Sequence, residues 1–138
     1  MCGLAGFFRT AKNSTEEQER AIERMIDPIR HRGPDDSGTW CDPGNGVALG
    51  FRRLAILDLS ALGHQPMPSA SGRYTMVFNG EIYNFRKIRD ELERDGMRFR
   101  GHSDTEIILG AFERWGVDAA VPRLLGMFAI AVWDAATR

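Results

Sequence analysis

From Gly3 to Phe8 the chain is apolar at almost every position, without alternation. A short continuous run of that kind reads as a strand buried on both faces. The period then changes. Ser14-Thr15-Glu16-Glu17 places a serine three residues ahead of a glutamate, the reciprocal pairing that satisfies the first free N–H groups of a helix. Behind it Ala21, Ile22, Met25, Ile26 and Ile29 recur at helical spacing and predict a buried stripe. Pro28 disfavours helical geometry at Asp27, so the helix is expected to end there, with Ile29 just beyond it. Arg30 to Gly38 is dense in glycine, proline and charge and reads as a loop. Strand material resumes from Val47 to Leu59, with Ala48-Leu49-Gly50-Phe51 leading into Arg52-Arg53-Leu54-Ala55-Ile56-Leu57.

Gly63 to Pro68 is a further loop and Tyr74 to Phe78 a further strand. Asn84 is placed to cap a helix in which Phe85, Ile88 and Leu92 share a face, closed by Gly96. Ser103-Asp104-Thr105-Glu106 repeats the capping-box spacing and opens a helix carrying Ile107, Ile108, Ala111, Phe112 and Trp115, ended by Gly116. Met127 to Trp133 is a strand with apolar residues on both faces, and Asp134 to Arg138 is polar and suited to a hairpin turn. The order of elements gives a mixed α and β class. Strands apolar on both sides predict layers covering both faces of a sheet. There are no internal repeats and no low-complexity segments.

Composition narrows the picture without changing it. At 138 residues the chain is one domain, with 43% hydrophobic and 27% charged residues, ordinary globular values. Eighteen basic against 19 acidic side chains leave a formal charge of -1, so nothing draws nucleic acid or an anionic membrane surface. No apolar stretch approaches the ~20 residues that cross a bilayer, and the N-terminus lacks the basic and apolar regions of a signal peptide. The cysteines, Cys2 and Cys41, form neither a metal spacing nor a disulfide framework. These features lead to the cytosol as the expected compartment.

Candidate chemistry starts at Cys2. It follows the initiator methionine and is small, the condition for removal of Met1. One residue would then carry a thiol and a free α-amino group, which titrate near ~8.5 and ~8 and exchange a proton at little cost. A second-position cysteine can equally be incidental. Asn79-Gly80 reads as a hairpin turn. It also reads as a pair of donors, an amide and a backbone N–H, for an oxygen that becomes negative during acyl transfer. Adjacent strand residues point to opposite faces, so one of Arg52 and Arg53 can grip a carboxylate in a pocket, or both can reach solvent. Asp104 can hold an ammonium group or simply complement its helix dipole.

Taken in order, the segments resemble the glutamine-hydrolysing domain of the class II, N-terminal-nucleophile (Ntn) amidotransferases, in the asparagine synthetase branch. They are Met1-Cys2-Gly3-Leu4-Ala5-Gly6, Arg30-His31-Arg32-Gly33-Pro34-Asp35, Arg53-Leu54-Ala55-Ile56-Leu57-Asp58 and Gly63-His64-Gln65-Pro66-Met67. Phe78-Asn79-Gly80-Glu81-Ile82-Tyr83-Asn84, Ser103-Asp104-Thr105-Glu106 and Leu125-Gly126-Met127-Phe128-Ala129 complete the set.

The resemblance implies an α+β fold, the Ntn-hydrolase αββα four-layer sandwich, with residues 1–138 forming a C-terminally incomplete glutaminase domain. Cys2 is implied as nucleophile and Asn79 with Gly80 as the oxyanion hole. Arg53 corresponds to the arginine for the substrate α-carboxylate, and Glu81 and Asp104 to the acids at the α-amino end. The main chain around Leu54, Ala55, Ile56 and Leu57 is expected to line the same pocket. His31 and Cys41 match no catalytic position. The implied activity is hydrolysis of L-glutamine to glutamate and ammonia, with no cofactor and no metal. ATP and Mg2+ belong to a synthetase domain absent from this chain, which would amidate aspartate. Three alternatives stay open: a non-catalytic or partner-binding module, a hydrolase acting on another amide, and an amidotransferase half serving a sugar acceptor. The last strand is expected to expose an edge and an apolar face, which invites homodimerisation or docking.

Overall fold

The computed structural model describes residues 2–9, 14–55 and 61–138. Met1, Ile56 and Leu57, for which the sequence raises expectations, lie outside the described residues.

The first strand, β1 (Gly3–Phe8), lies where its apolar run places it, but it is not buried on both faces as expected: it stands at the end of its sheet and Phe8 is 67% exposed. Helix α1 (Thr15–Ile26) starts with the capping box complete: Glu17 N–H donates to Ser14 Oγ at 3.3 Å and Ser14 N–H to Glu17 Oε2 at 3.1 Å. Its buried face is Gln18, Ile22 and Ile26, whereas Met25, expected in the stripe, is 41% exposed. The facing strand sets this rotation. A Cβ on Gly50 would lie 2.6 Å from Ile26 Cγ2 and 2.8 Å from Ile22 Cγ1, so those two side chains occupy the space the glycine leaves.

The segment read as a loop from Arg30 to Gly38 is only partly one. Arg30–Arg32 forms a single 3-10 turn, and Asp36–Asp42 is strand β2. Asp36, Ser37 and Thr39 give this strand no apolar pattern in the sequence. It is an edge strand, held by its register against β3 (Val47–Arg53) from Asp36↔Arg53 to Asp42↔Val47. β3 is the centre of this antiparallel sheet, with β1 on its other side, and is buried almost throughout.

A second antiparallel sheet has the order β4 (Met67–Pro68), β5 (Tyr74–Ile82), β6 (Gly126–Asp134). β5 runs past the expected end at Phe78. Asn79 and Gly80 stand within the ladder opposite Ala129 and Phe128, which overturns the hairpin-turn alternative. The partner of β5 comes from far along the chain, beyond the reach of a local turn signal.

Helices α2 (Phe85–Arg94), α3 (Asp104–Trp115) and the short α4 (Val117–Ala120) lie between β5 and β6 in sequence. Gly96 and Gly116, with φ of 91° and 77°, follow α2 and α3 as predicted. Both predicted side-chain caps are absent. Asn84 instead donates to Arg123 O and accepts from Leu125 N–H, each at 2.9 Å. Glu106 accepts from the N–H groups of Arg100 and Gly101 at 3.0 and 2.8 Å, leaving Ser103 without its reciprocal partner. In both cases a tertiary contact takes the side chain away from its own helix end.

The layers follow from these faces. α1 covers the outside of the first sheet. Leu49 and Phe51 from that sheet meet Val77 from the second, with Leu4, Trp40 and Trp133 around them. Tyr74, Met76, Phe78 and Ile82 turn the other way, onto Ile88 and Leu92 of α2 and Ile108 and Phe112 of α3. The result is the expected sandwich of two sheets between helical layers. As anticipated, β6 forms a sheet edge among the described residues and its first half is exposed, Met127 to 74%.

Candidate functional site

Strand alternation assembles the site. On β3, Leu49 and Phe51 face the second sheet, which places Arg53 on the same inner face; it is 9% exposed. Arg52 points to the helix side, where its Nε–H donates to Ile26 O at 3.1 Å and its guanidinium lies 3.6 Å from Asp27. On β5, Val77 faces inward, and so by period do Asn79 and Glu81. Cys2 packs between the sheets beside β1. The inter-sheet layer is therefore apolar in its middle and polar at one end.

At that end lies a cavity of about 440 Å³. Cys2, Arg53, Leu54, Asn79, Gly80, Glu81 and Asp104 all line it. Of the expected site residues, Ala55 does not line it: its N–H donates to Asp35 Oδ2 at 2.9 Å. Cys2 is held from several sides. Leu54 N–H donates to its Sγ at 3.3 Å, the thiol lies 3.6 Å from Leu54 O, and Arg32 Nε–H donates to the Cys2 carbonyl at 3.1 Å.

The Arg32-Gly33-Pro34-Asp35 segment is thus a clamp on the site. Asp35 N–H donates to Arg53 O at 3.0 Å, and a side chain at Gly33 would collide with the backbone of Arg52 and Arg53. Glycine is needed there so that two backbones can approach. The sequence displays the motif, but its partners lie on other strands and carry no local signal.

The opposite wall is built by α3. Asp104 Oδ2 accepts the Ile82 N–H at 3.1 Å. Burial pushes the Asp104 carboxyl above its ordinary range; the backbone N–H groups of Ile82, Thr105 and Asp104 itself oppose that, and the neighbouring Glu81 charge adds to it. Ser103 Oγ is buried at the cavity with no hydrogen-bond partner among the described residues, a polar atom that a ligand could satisfy. Sequence reading assigned Ser103 to a cap and missed it. It also gave no role to Gln65, which lines the cavity and whose Oε1 accepts the Phe78 N–H at 2.6 Å. Among the described residues no three His, Cys, Asp or Glu side chains gather to hold a metal ion, and no helix is long and apolar enough to cross a membrane.

Chemically, the cavity offers a thiol, a guanidinium, two carboxyl groups and two side-chain amides, that of Asn79 beside a strand-edge N–H. Comparison with known proteins places this arrangement in context. A family profile described as a glutamine amidotransferase domain matches residues 1–138. The putative glutamine-hydrolysing asparagine synthetase of Mycobacterium tuberculosis is 43% identical over 150 residues, covering 100% of this chain and 23% of that protein. The glutamine-hydrolysing asparagine synthetase 1 of Bacillus subtilis is 42% identical over 135 residues, covering 97% of this chain and 21% of that protein. Among solved structures, glutamine phosphoribosylpyrophosphate amidotransferase from Bacillus subtilis, complexed with ADP and GMP, superposes with a TM-score of 0.56. It shares 23% identity over 65% of this chain and 21% of its own. The chain therefore spans about a fifth to a quarter of the length of these relatives.

Proposed function

Because this chain belongs to the glutamine amidotransferase domain family, we propose that it hydrolyses L-glutamine to glutamate and ammonia through a thioester on Cys2. The observation that carries this reading is that Cys2, Arg53, Asn79-Gly80 and Asp104, from four separate stretches of chain, line one cavity. Glutamine presents a carboxylate, an ammonium and an amide, and the cavity contains a group suited to each.

In the proposed reaction Arg53 pairs with the substrate α-carboxylate, and Asp104 with Glu81 takes the α-ammonium. This leaves the side-chain amide near Cys2. Once Met1 is removed, the Cys2 α-amino group accepts the thiol proton as sulfur attacks the amide carbon. The carbonyl oxygen becomes negative and receives hydrogen bonds from the Asn79 side-chain amide and the Gly80 N–H. Collapse of the tetrahedral species breaks the C–N bond, and the α-ammonium of Cys2 returns its proton to the departing nitrogen, releasing ammonia. Water then attacks the thioester, with the same amino group as base, giving glutamate and the free thiol. Both cysteines are unpaired, and a reducing compartment such as the cytosol keeps the Cys2 sulfur in its reactive form.

The relatives' names and length support a second proposal. The ammonia passes to an ATP- and Mg2+-dependent synthetase domain, which uses it to amidate aspartate.

The test is direct. The purified chain, shown by intact mass to begin at Cys2, is expected to release equal amounts of glutamate and ammonia from glutamine, and Cys2→Ala to release neither. Turnover retained by Cys2→Ala would sink the nucleophile assignment. Activity on simple amides but not on glutamine would instead support the hydrolase alternative.

A further inference from the structure

Along β5 the N–H groups alternate between the two edges of the strand. Tyr83, just beyond it, donates toward the β6 side, to Leu125 O at 2.7 Å. Phe78 and Ile82 donate the other way, to Gln65 Oε1 at 2.6 Å and Asp104 Oδ2 at 3.1 Å. The Gly80 N–H falls between them on that same edge, at the cavity. β4 covers this edge only opposite Thr75 and Met76. Carrying its register back would set Gln65 opposite Phe78, but β4 begins only at Met67. The Gln65 side chain thus supplies the acceptor that a ladder carbonyl would have supplied. Gln65 is only 5% exposed, and the N–H it holds belongs to Phe78, one residue before Asn79.

We propose that Gln65 is a positioning residue for the oxyanion donors: by holding the Phe78 N–H, its side-chain carbonyl fixes the strand segment that aims the Asn79 amide and the Gly80 N–H at the carbonyl oxygen that becomes negative. The inference rests on the reading of Cys2 as nucleophile toward glutamine. Asp104 ties the strand on the far side of Gly80, so the donor pair is pinned at both ends. An apolar residue at 65 would leave the Phe78 N–H unpaired in the interior. The strand would then be free to shift where oxyanion geometry is most sensitive.

The experiment compares the purified chain with Gln65→Met, which keeps the length but removes the acceptor, and Gln65→Glu, which keeps one. In Gln65→Met the Phe78 amide is expected to exchange its hydrogen at least ~10-fold faster while Met76 is unchanged, and in Gln65→Glu it is expected to stay protected. Gln65→Met should lose ~10- to 100-fold in kcat with little change in the KM for glutamine. Its affinity for glutamate γ-semialdehyde, whose aldehyde forms a tetrahedral adduct with the thiol, should fall in parallel. Alkylation of Cys2 by iodoacetamide should keep the wild-type rate, which a general loss of structure would not allow. Wild-type kcat and aldehyde affinity in Gln65→Met would overturn the proposal, as would unchanged exchange at Phe78 or an equal loss of Cys2 alkylation. If the wild-type chain itself releases no glutamate, the glutaminase reading fails, and the Phe78 exchange rate still decides whether the bond holds the strand.

Discussion

Gly63 is where the Arg53 guanidinium passes: a Cβ there would overlap Nη2 and lie 2.7 Å from Cζ. The clash is with the movable tip of a side chain, so Gly63→Ala is expected to fold normally and to turn Arg53 aside. Steady-state kinetics should show the KM for glutamine rising about tenfold with a smaller change in kcat. Asp104 calls for the opposite kind of test. Burial holds its carboxyl above the usual range, so it becomes neutral at a higher pH than an ordinary aspartate and then loses its grip on an ammonium. The KM for glutamine should therefore rise as pH falls through that raised value. The sign for stability is reversed. The folded chain holds this proton more tightly than the unfolded chain, so the contribution of Asp104 declines as pH climbs from the ordinary carboxylate range through the raised one. Asp104→Asn keeps an acceptor for Ile82 N–H; thermal melts at neutral pH should find it no less stable than wild type, while its KM is expected to rise at least ~10-fold.

At the scale of elements, α1 carries an anomaly in an otherwise apolar face. Gln18 is fully buried, and among the described residues neither polar atom of its side chain has a hydrogen-bond partner. Such a group costs free energy that an apolar residue of the same length would not. Gln18→Met is expected to stabilise the chain by about 1–2 kcal/mol in urea denaturation, and a loss of stability would show that the amide has a partner. The three main helices were legible because each carries its own periodicity and a start or stop signal. Of the predicted caps, the Ser14 box is complete, its two partners lying within the first turn of the same helix, whereas Asn84 and Glu106 were claimed by neighbouring segments. β2 was not legible, since its place depends on pairing with β3 rather than on any pattern of its own.

For the whole molecule, the two-sheet arrangement places its polar cavity at one end of an apolar seam and leaves β6 at an edge. Tyr83, Leu125 and Met127 are exposed together where β5 and β6 meet. Contiguous apolar surface beside a strand whose outer edge is open among the described residues favours association. Sedimentation over rising concentration is expected to show self-association of this chain, and Leu125→Lys to reduce it. A monomer at every concentration would remove this edge as a contact between copies.

The sequence alone determined the features that depend on neighbours along the chain. These are the helix limits at Ser14, Gly96 and Gly116, the doubly apolar β3, and the alternation that sends Arg52 and Arg53 to opposite faces. Tertiary structure alone decided which distant segments meet: Asn79-Gly80 as strand rather than turn, Arg32 on the Cys2 carbonyl, Gln65 and Asp104 on the open edge of β5. The physical reason is one of range. Propensity and periodicity act within a few residues, but a backbone N–H deprived of its ladder takes whatever acceptor the packed fold brings to it.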